Sequence, residues 1–186
     1  MTAARAQLRA LGPSLCSALL VLASAGSASA KPLWNAGVET GVCGGSGSLG
    51  LSQPRWCNAL HGDVLFLRER GRDLGLGPSL RIGSVGFDDL RLDAGLSLLV
   101  PVFDSFPLVL EAGPHLRNLT QAGVYASAFF GLRSFNDYGS YEMAAGLALT
   151  AERSFATGTP SALWITARID GSWLALPFVF AYNGLK

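Results

Sequence analysis

The chain has 186 residues and a formal net charge of +1, with 49% apolar but only 15% charged side chains. Soluble domains carry nearer a quarter charged residues, yet outside the first 30 residues no apolar run reaches the roughly 18 residues that a spanning helix needs. A helical membrane protein is thereby excluded, the balance of 14 basic and 13 acidic residues leaves no basic patch for nucleic acid, and 23 glycines argue against a helical bundle.

Residues 1–30 read as a secretory signal peptide. Arg5 and Arg9 form a positive start, residues 15–25 an apolar core, and Ala28-Ser29-Ala30 a small-residue cleavage site. Cys16 does not mark a lipoprotein, because it follows Leu15 directly where a small residue would be needed. Residues 31–186 then form a single domain. Its two cysteines, Cys43 and Cys57, are expected to form a disulfide, as an even count in an exported chain implies. Closing a loop of that size stabilises a fold by about 3 kcal/mol in the chain-entropy treatment. No histidine accompanies the pair at zinc-ligand spacing, so no metal and no cofactor is expected.

A two-residue period runs through the domain and predicts strands. In chain order, 34–42 sets Trp34, Ala36, Val38 and Val42 against Asn35, Gly37, Glu39 and Gly41, and 58–69 sets Leu60, Val64 and Phe66 against His61, Asp63 and Glu69. Five stronger segments follow: 74–83, 90–100, 108–117, 123–133 and 141–152. Their first face reads Leu76, Pro78, Leu80, Ile82, Leu92, Leu96, Leu110, Leu116, Phe130, Leu147 and the like, without a charge or a glycine. Their second face carries Arg81, Arg91, Asp93, Glu111, Arg117, Arg133, Glu142 and Glu152, with His115, Ser79 and many glycines. The eighth segment, 161–170, sets Leu163, Ile165, Ala167 and Ile169 against Trp164, Thr166, Arg168 and Asp170. A ninth, 173–182, also reads as a strand and conflicts with an even, closed count. Pro78 and Pro114, awkward in any central strand, are expected at bulges or kinks.

Segments of this length match the roughly 9 to 11 residues of a tilted strand crossing a bilayer. The charged face decides which side is inside. A soluble barrel would show it to water, rich in Lys, yet the only lysines of the domain are Lys31 and Lys186 at its ends. Arginines matched by acids among glycines suit a narrow lumen filled by paired charges, leaving the leucine face for lipid, where every backbone group must be paired and the sheet must close. Trp34, Tyr141, Trp173 and Tyr182 stand near strand ends, where aromatic girdles lie.

With its export signal, about eight amphipathic strands and uneven connections, the domain resembles the small outer-membrane β-barrel proteins of Gram-negative bacteria. The resemblance implies an all-β, antiparallel up-and-down membrane barrel of about eight strands, located in the outer membrane with its lipid as partner. The chain departs from that class at its end. Such barrels usually finish on a phenylalanine, whereas here Phe178, Phe180 and Tyr182 precede Asn183-Gly184-Leu185-Lys186.

Members of the class include anchors, adhesins, pores and lipid-modifying enzymes. Lipid A deacylases of this fold carry His-x-Ser on one strand face, a pattern that His115-Leu116-Arg117 lacks. His61-Gly62-Asp63 puts His and Asp on one face, with Ser79 a candidate neighbour, so His61, Asp63 and His115 are the candidate catalytic residues. Against that stands their membership of the lumen charge network, since ionisable groups buried in membrane proteins pair first with each other. The segment 44–56 is expected to be a surface loop presenting Arg55 and Trp56 to a protein or surface partner. The expectation is a monomeric, non-enzymatic barrel with a plugged lumen and a structural or surface-interaction role. The alternatives are a lipid-modifying hydrolase and a soluble periplasmic β-barrel that binds an apolar ligand.

Overall fold

The computed structural model describes residues 32–46, 52–67, 73–103, 105–135, 142–159 and 161–184. The signal-peptide reading of 1–30, and the positions Glu69 and Tyr141, lie outside the described residues. Eight strands, β1 (Leu33–Ser46), β2 (Ser52–Leu65), β3 (Gly75–Val85), β4 (Asp89–Phe103), β5 (Phe106–Arg117), β6 (Gln121–Phe135), β7 (Glu142–Ser154) and β8 (Ser161–Asp170), close into an antiparallel up-and-down barrel. The ring is sealed by β1 against β8, with Val38 opposite Ile169 and Val42 opposite Ile165. Starting at Trp34, the pairing meets Val64, reaches Pro78 through the register set by Asp63 opposite Ser79, and passes Leu96, Ala112, Ala126, Ala151 and Leu163 before it meets β1 again at Gly44. That displacement along β1 tilts the strands, and eight tilted strands enclose a lumen just wide enough for side chains.

The two faces fall as the period requires. Leu80, Leu96, Leu110, Leu147 and Ile165 point outward and are exposed, while Arg81, Asp93, Glu111 and Arg168 point inward and are buried. Glycines on the inner face bring strands together and make room. A Cβ on Gly95 would lie 2.3 Å from the carbonyl oxygen of Ala112 and 2.7 Å from the Tyr125 hydroxyl, which fills the lumen there. Two apolar clusters flank the charges. Cys43, Cys57, Val85 and Trp164 lie toward the end with the β1–β2 connection, and Leu65, Leu99, Val109, Phe129, Ala144 and Ala148 toward the end where β1 begins. Cys43 and Cys57 join β1 to β2 as a disulfide, with Cα atoms 6.0 Å apart.

Three expectations are corrected. Pro78 and Pro114 cause no bulge: Asp63 opposite Ser79 and Phe66 opposite Leu76 keep one register across Pro78, and Asp93 opposite His115 and Leu96 opposite Ala112 keep one across Pro114. Each proline lacks pairing on one side only, as a missing N–H dictates. Within the segment 44–56, expected as a loop, 44–46 and 52–56 are strand, and 47–51 lie outside the described residues. β1 runs on to Ser46 and β2 starts at Ser52, so Arg55 and Trp56 are exposed strand residues.

The third correction concerns 173–182, which is helical, within α1 (Gly171–Gly184), and not a ninth strand. A closed ring offers no free edge for another strand. β8 ends at Asp170, opposite Gly37, while β1 continues back to Leu33 and β7 to Glu142. The buried Asp170 carboxylate fills that gap. It accepts hydrogen bonds from Trp173 N (3.0 Å), capping α1, from Asn35 Nδ2 (3.5 Å) and from the backbone N–H of Ala144 on β7. Asp170→Ala removes the cap and leaves the Ala144 N–H unpaired, so it is expected to cost about 2–4 kcal/mol and to release α1. Denaturant unfolding with amide exchange at Trp173 measures both, and unchanged exchange there would refute the capping role.

Candidate functional site

Because β-strand side chains alternate, every second residue of all eight strands is delivered into the lumen. Five arginines (Arg81, Arg91, Arg117, Arg133, Arg168) thereby meet seven carboxylates (Glu39, Asp63, Asp89, Asp93, Glu111, Glu152, Asp170) and two histidines among the described residues. Arg81 on β3 is the central member. It donates from Nε to Asp93 on β4 at 2.7 Å and from Nη2 to Glu152 on β7 at 2.6 Å, and its Nη1 lies 3.7 Å from Glu39 on β1. Its guanidinium lies 4.6 Å from the Trp164 ring centroid.

Two groups extend from it. On one side Arg168 bridges Glu39 (Nε to Oε1, 2.8 Å) and Glu111 (Nη1 to Oε1, 2.7 Å), His61 Nε2 lies 3.1 Å from Glu111, and Arg133 grips both oxygens of Asp63 at 2.6 and 2.9 Å. On the other side His115 Nδ1 is 2.5 Å from Asp93, Arg91 spans Glu152 (3.0 Å) and Asp89 (2.7 Å), and Arg117 takes Asp89 side-on at 2.6 and 3.0 Å. Charged hydrogen bonds of this kind are about twice as strong as neutral ones, and burial makes each one costly to break.

The candidate residues of the sequence are therefore brought together in the lumen, each held by another member of the network. His61 turns to Glu111 and stands 3.9 Å from Asp63, whose oxygens belong to Arg133. The Ser79 hydroxyl bonds Tyr125 Oη at 3.2 Å rather than His61. His115 is buried between Asp93 and Glu152. All the expected lumen charges but one are in this network, Arg117 being partly exposed at its edge. The exception is Glu142, which opens β7 and whose side chain lies outside the described residues. Glu39, Asp89, Arg168 and Asp170 extend the network. Their signal was parity, since each shares the inner face of its strand with residues already expected there.

Two groups have the composition of a metal site, His61 with Asp63 and Glu111, and Asp93 with His115 and Glu152. Every carboxylate in them already holds a guanidinium: Asp63 that of Arg133, Glu111 that of Arg168, and Asp93 and Glu152 that of Arg81. A cation would have to displace an arginine that cannot give up its charge, so the donor set does not fit a metal.

Arg81→Met should cost about 3–5 kcal/mol, because it leaves Asp93 and Glu152 buried without their shared partner. Arg81→Lys should recover only part, since an ammonium lacks the fork that reaches both acids. The exposed Arg153→Met, measured beside them by denaturant unfolding, should change stability by no more than about 0.5 kcal/mol. No protein-family model, no curated protein and no solved structure matches the chain.

Proposed function

We propose that this protein is an exported outer-membrane barrel whose outer surface meets lipid and whose lumen is closed by its own charges, serving a structural or surface-interaction role without catalysis. The observation that carries this reading is the reversal of polarity across the sheet. Leu147 is 65% and Leu60 61% exposed, whereas Arg81 is 2% and Asp93 0% exposed. An outward aliphatic band is costly in water and favourable against acyl chains. Exposed aromatics border it at both ends: Trp56, Phe87 and Phe155 at one, Trp34, Phe103 and Phe106 at the other. Rings with one apolar and one wet side settle at headgroup depth. The described residues contain no helix long and apolar enough to cross a membrane.

A soluble barrel holding an apolar ligand needs its leucines inside, the opposite of this arrangement. A hydrolase needs a nucleophile within reach of a base, and Ser79 and His61 each bond elsewhere. Five arginines paired to acids across so narrow a ring support a closed lumen.

Protein extracted from outer membranes and run unboiled should migrate faster than the boiled sample, as closed membrane barrels resist unheated detergent. In planar bilayers it should show no conductance steps. Recovery in a detergent-free periplasmic extract, with no shift on boiling, would overturn the membrane reading, and stable unitary currents would overturn the closed lumen.

A further inference from the structure

The end of the barrel that carries the disulfide opens into a cavity of about 370 Å³. Cys43, Arg55, Asp89, Arg91 and Arg117 stand on its wall. Three guanidinium groups thus meet one carboxylate there. The other acids that hold these arginines do not line the cavity. Asp88, bonded by Arg55 Nη2 at 2.6 Å, is on the exposed turn after β3, and Glu152, bonded by Arg91 Nη1, is buried deeper and shared with Arg81.

The donors on that wall are not used up. Arg91 is buried, 6% exposed, and gives Nη1 to Glu152 and Nη2 to Asp89, but its Nε–H has no partner. An unpaired buried donor on a guanidinium costs free energy that an acceptor in the cavity would recover. Arg117 engages Asp89 through Nε and Nη2, and Arg55 engages Asp88 through Nη2, which leaves each of them further N–H groups. The wall is also fixed in shape. The disulfide ties β1 to β2 beneath Arg55, and the Arg55 side chain lies against Gly86, where a Cβ would fall 2.7 Å from its Cζ.

We propose that this mouth is a binding site for a small oxyanion, a carboxylate or a phosphate, held between Arg55, Arg91 and Arg117. Planar guanidinium forks suit two-oxygen acceptors of that kind. Asp89 is the internal competitor: it occupies two of the three arginines and sets a moderate affinity. The inference does not rest on the membrane reading, because the wall lies inside the barrel mouth whatever surrounds the outer face.

Titration calorimetry of the folded full chain in zwitterionic detergent, with inorganic phosphate and separately with acetate, tests it. Saturable one-site binding is expected for at least one of the two anions. Arg117→Gln and Arg55→Gln should each weaken it about tenfold, in line with the loss of one charged hydrogen bond. Asp89→Asn should tighten it, a gain that misfolding does not produce, and Arg153→Gln on the outer face should leave it unchanged. Repeating the titration in phosphatidylglycerol and phosphatidylcholine nanodiscs identifies the source. Weaker phosphate binding in the anionic disc means lipid headgroups reach the site, and equal binding means that it takes anions free in solution. Absence of saturable binding by either anion, or affinities that both arginine variants leave unaltered, would overturn the proposal.

Discussion

Arg81 is held by carboxylates from three other strands, Asp93 on β4, Glu152 on β7 and Glu39 on β1, and the rest of the molecule is arranged around the need to keep that charge paired. A guanidinium out of water is tolerable only when its donors are satisfied and its charge is matched. β7 lies across the ring from β3, so satisfying Arg81 fixes the diameter of the lumen as well as its contents. The neighbouring glycines follow from the same demand. Long side chains fit across an eight-stranded ring only where other inward positions are reduced to hydrogen, and Gly95 beside Tyr125 is such a place. The apolar clusters around Trp164 and Phe129 then shield the ion pairs from water, which keeps their mutual attraction strong.

Charges inside leave the aliphatic residues no place but outside. A strand has only two faces, and a one-residue slip would exchange them everywhere. The network is therefore also a register lock, because sliding β3 by one residue would turn Arg81 outward and bring Leu80 or Ile82 in. Ordinary soluble domains obtain the same lock from a hydrophobic core. Here the inward polar set provides it, which frees the outer face to be largely aliphatic without losing a unique fold.

Much of this was legible in the sequence because alternation is a local property. The inner faces of β3 to β7 can be read from 74–83, 90–100, 108–117, 123–133 and 141–152 directly, and the weaker runs in β1, β2 and β8 follow the same parity. Which arginine meets which acid was not legible. Arg133 and Asp63 lie 70 residues apart and meet across the lumen only because of the tilt that closure imposes. Asp89 looked like part of a turn, since its strand begins on it. The helix α1 was misread because Trp173, Ala175, Phe178 and Phe180 fit a strand as well as a helix, and what decides is non-local: the ring is already closed when the chain reaches Asp170. The prolines were misread for a related reason. A closed sheet tolerates a missing donor when the pairing on the other side of the strand continues, as Pro78 opposite Leu96 and Pro114 opposite Val124 do.

A barrel whose interior is committed to its own stability has little left for function except its ends. At the disulfide end the described turns are short, residues 86–88 and 118–120, and both carry bulky residues in left-handed backbone geometry, Phe87 at φ 68° and Leu119 at φ 58°. Turns of that kind match the twist of the strands they join. The Cys43–Cys57 disulfide ties the adjacent hairpin at the same end. The arginines at this end differ from those deeper in the lumen in one respect. Arg81 and Arg168 are held by acids from several sides, whereas Arg55 and Arg117 each hold one acid and are partly exposed. Moving outward along the lumen, the arginines go from buried groups shared among several acids to partly exposed groups that hold one acid each. That gradient, rather than any single residue, is what supports the anion site proposed at the mouth.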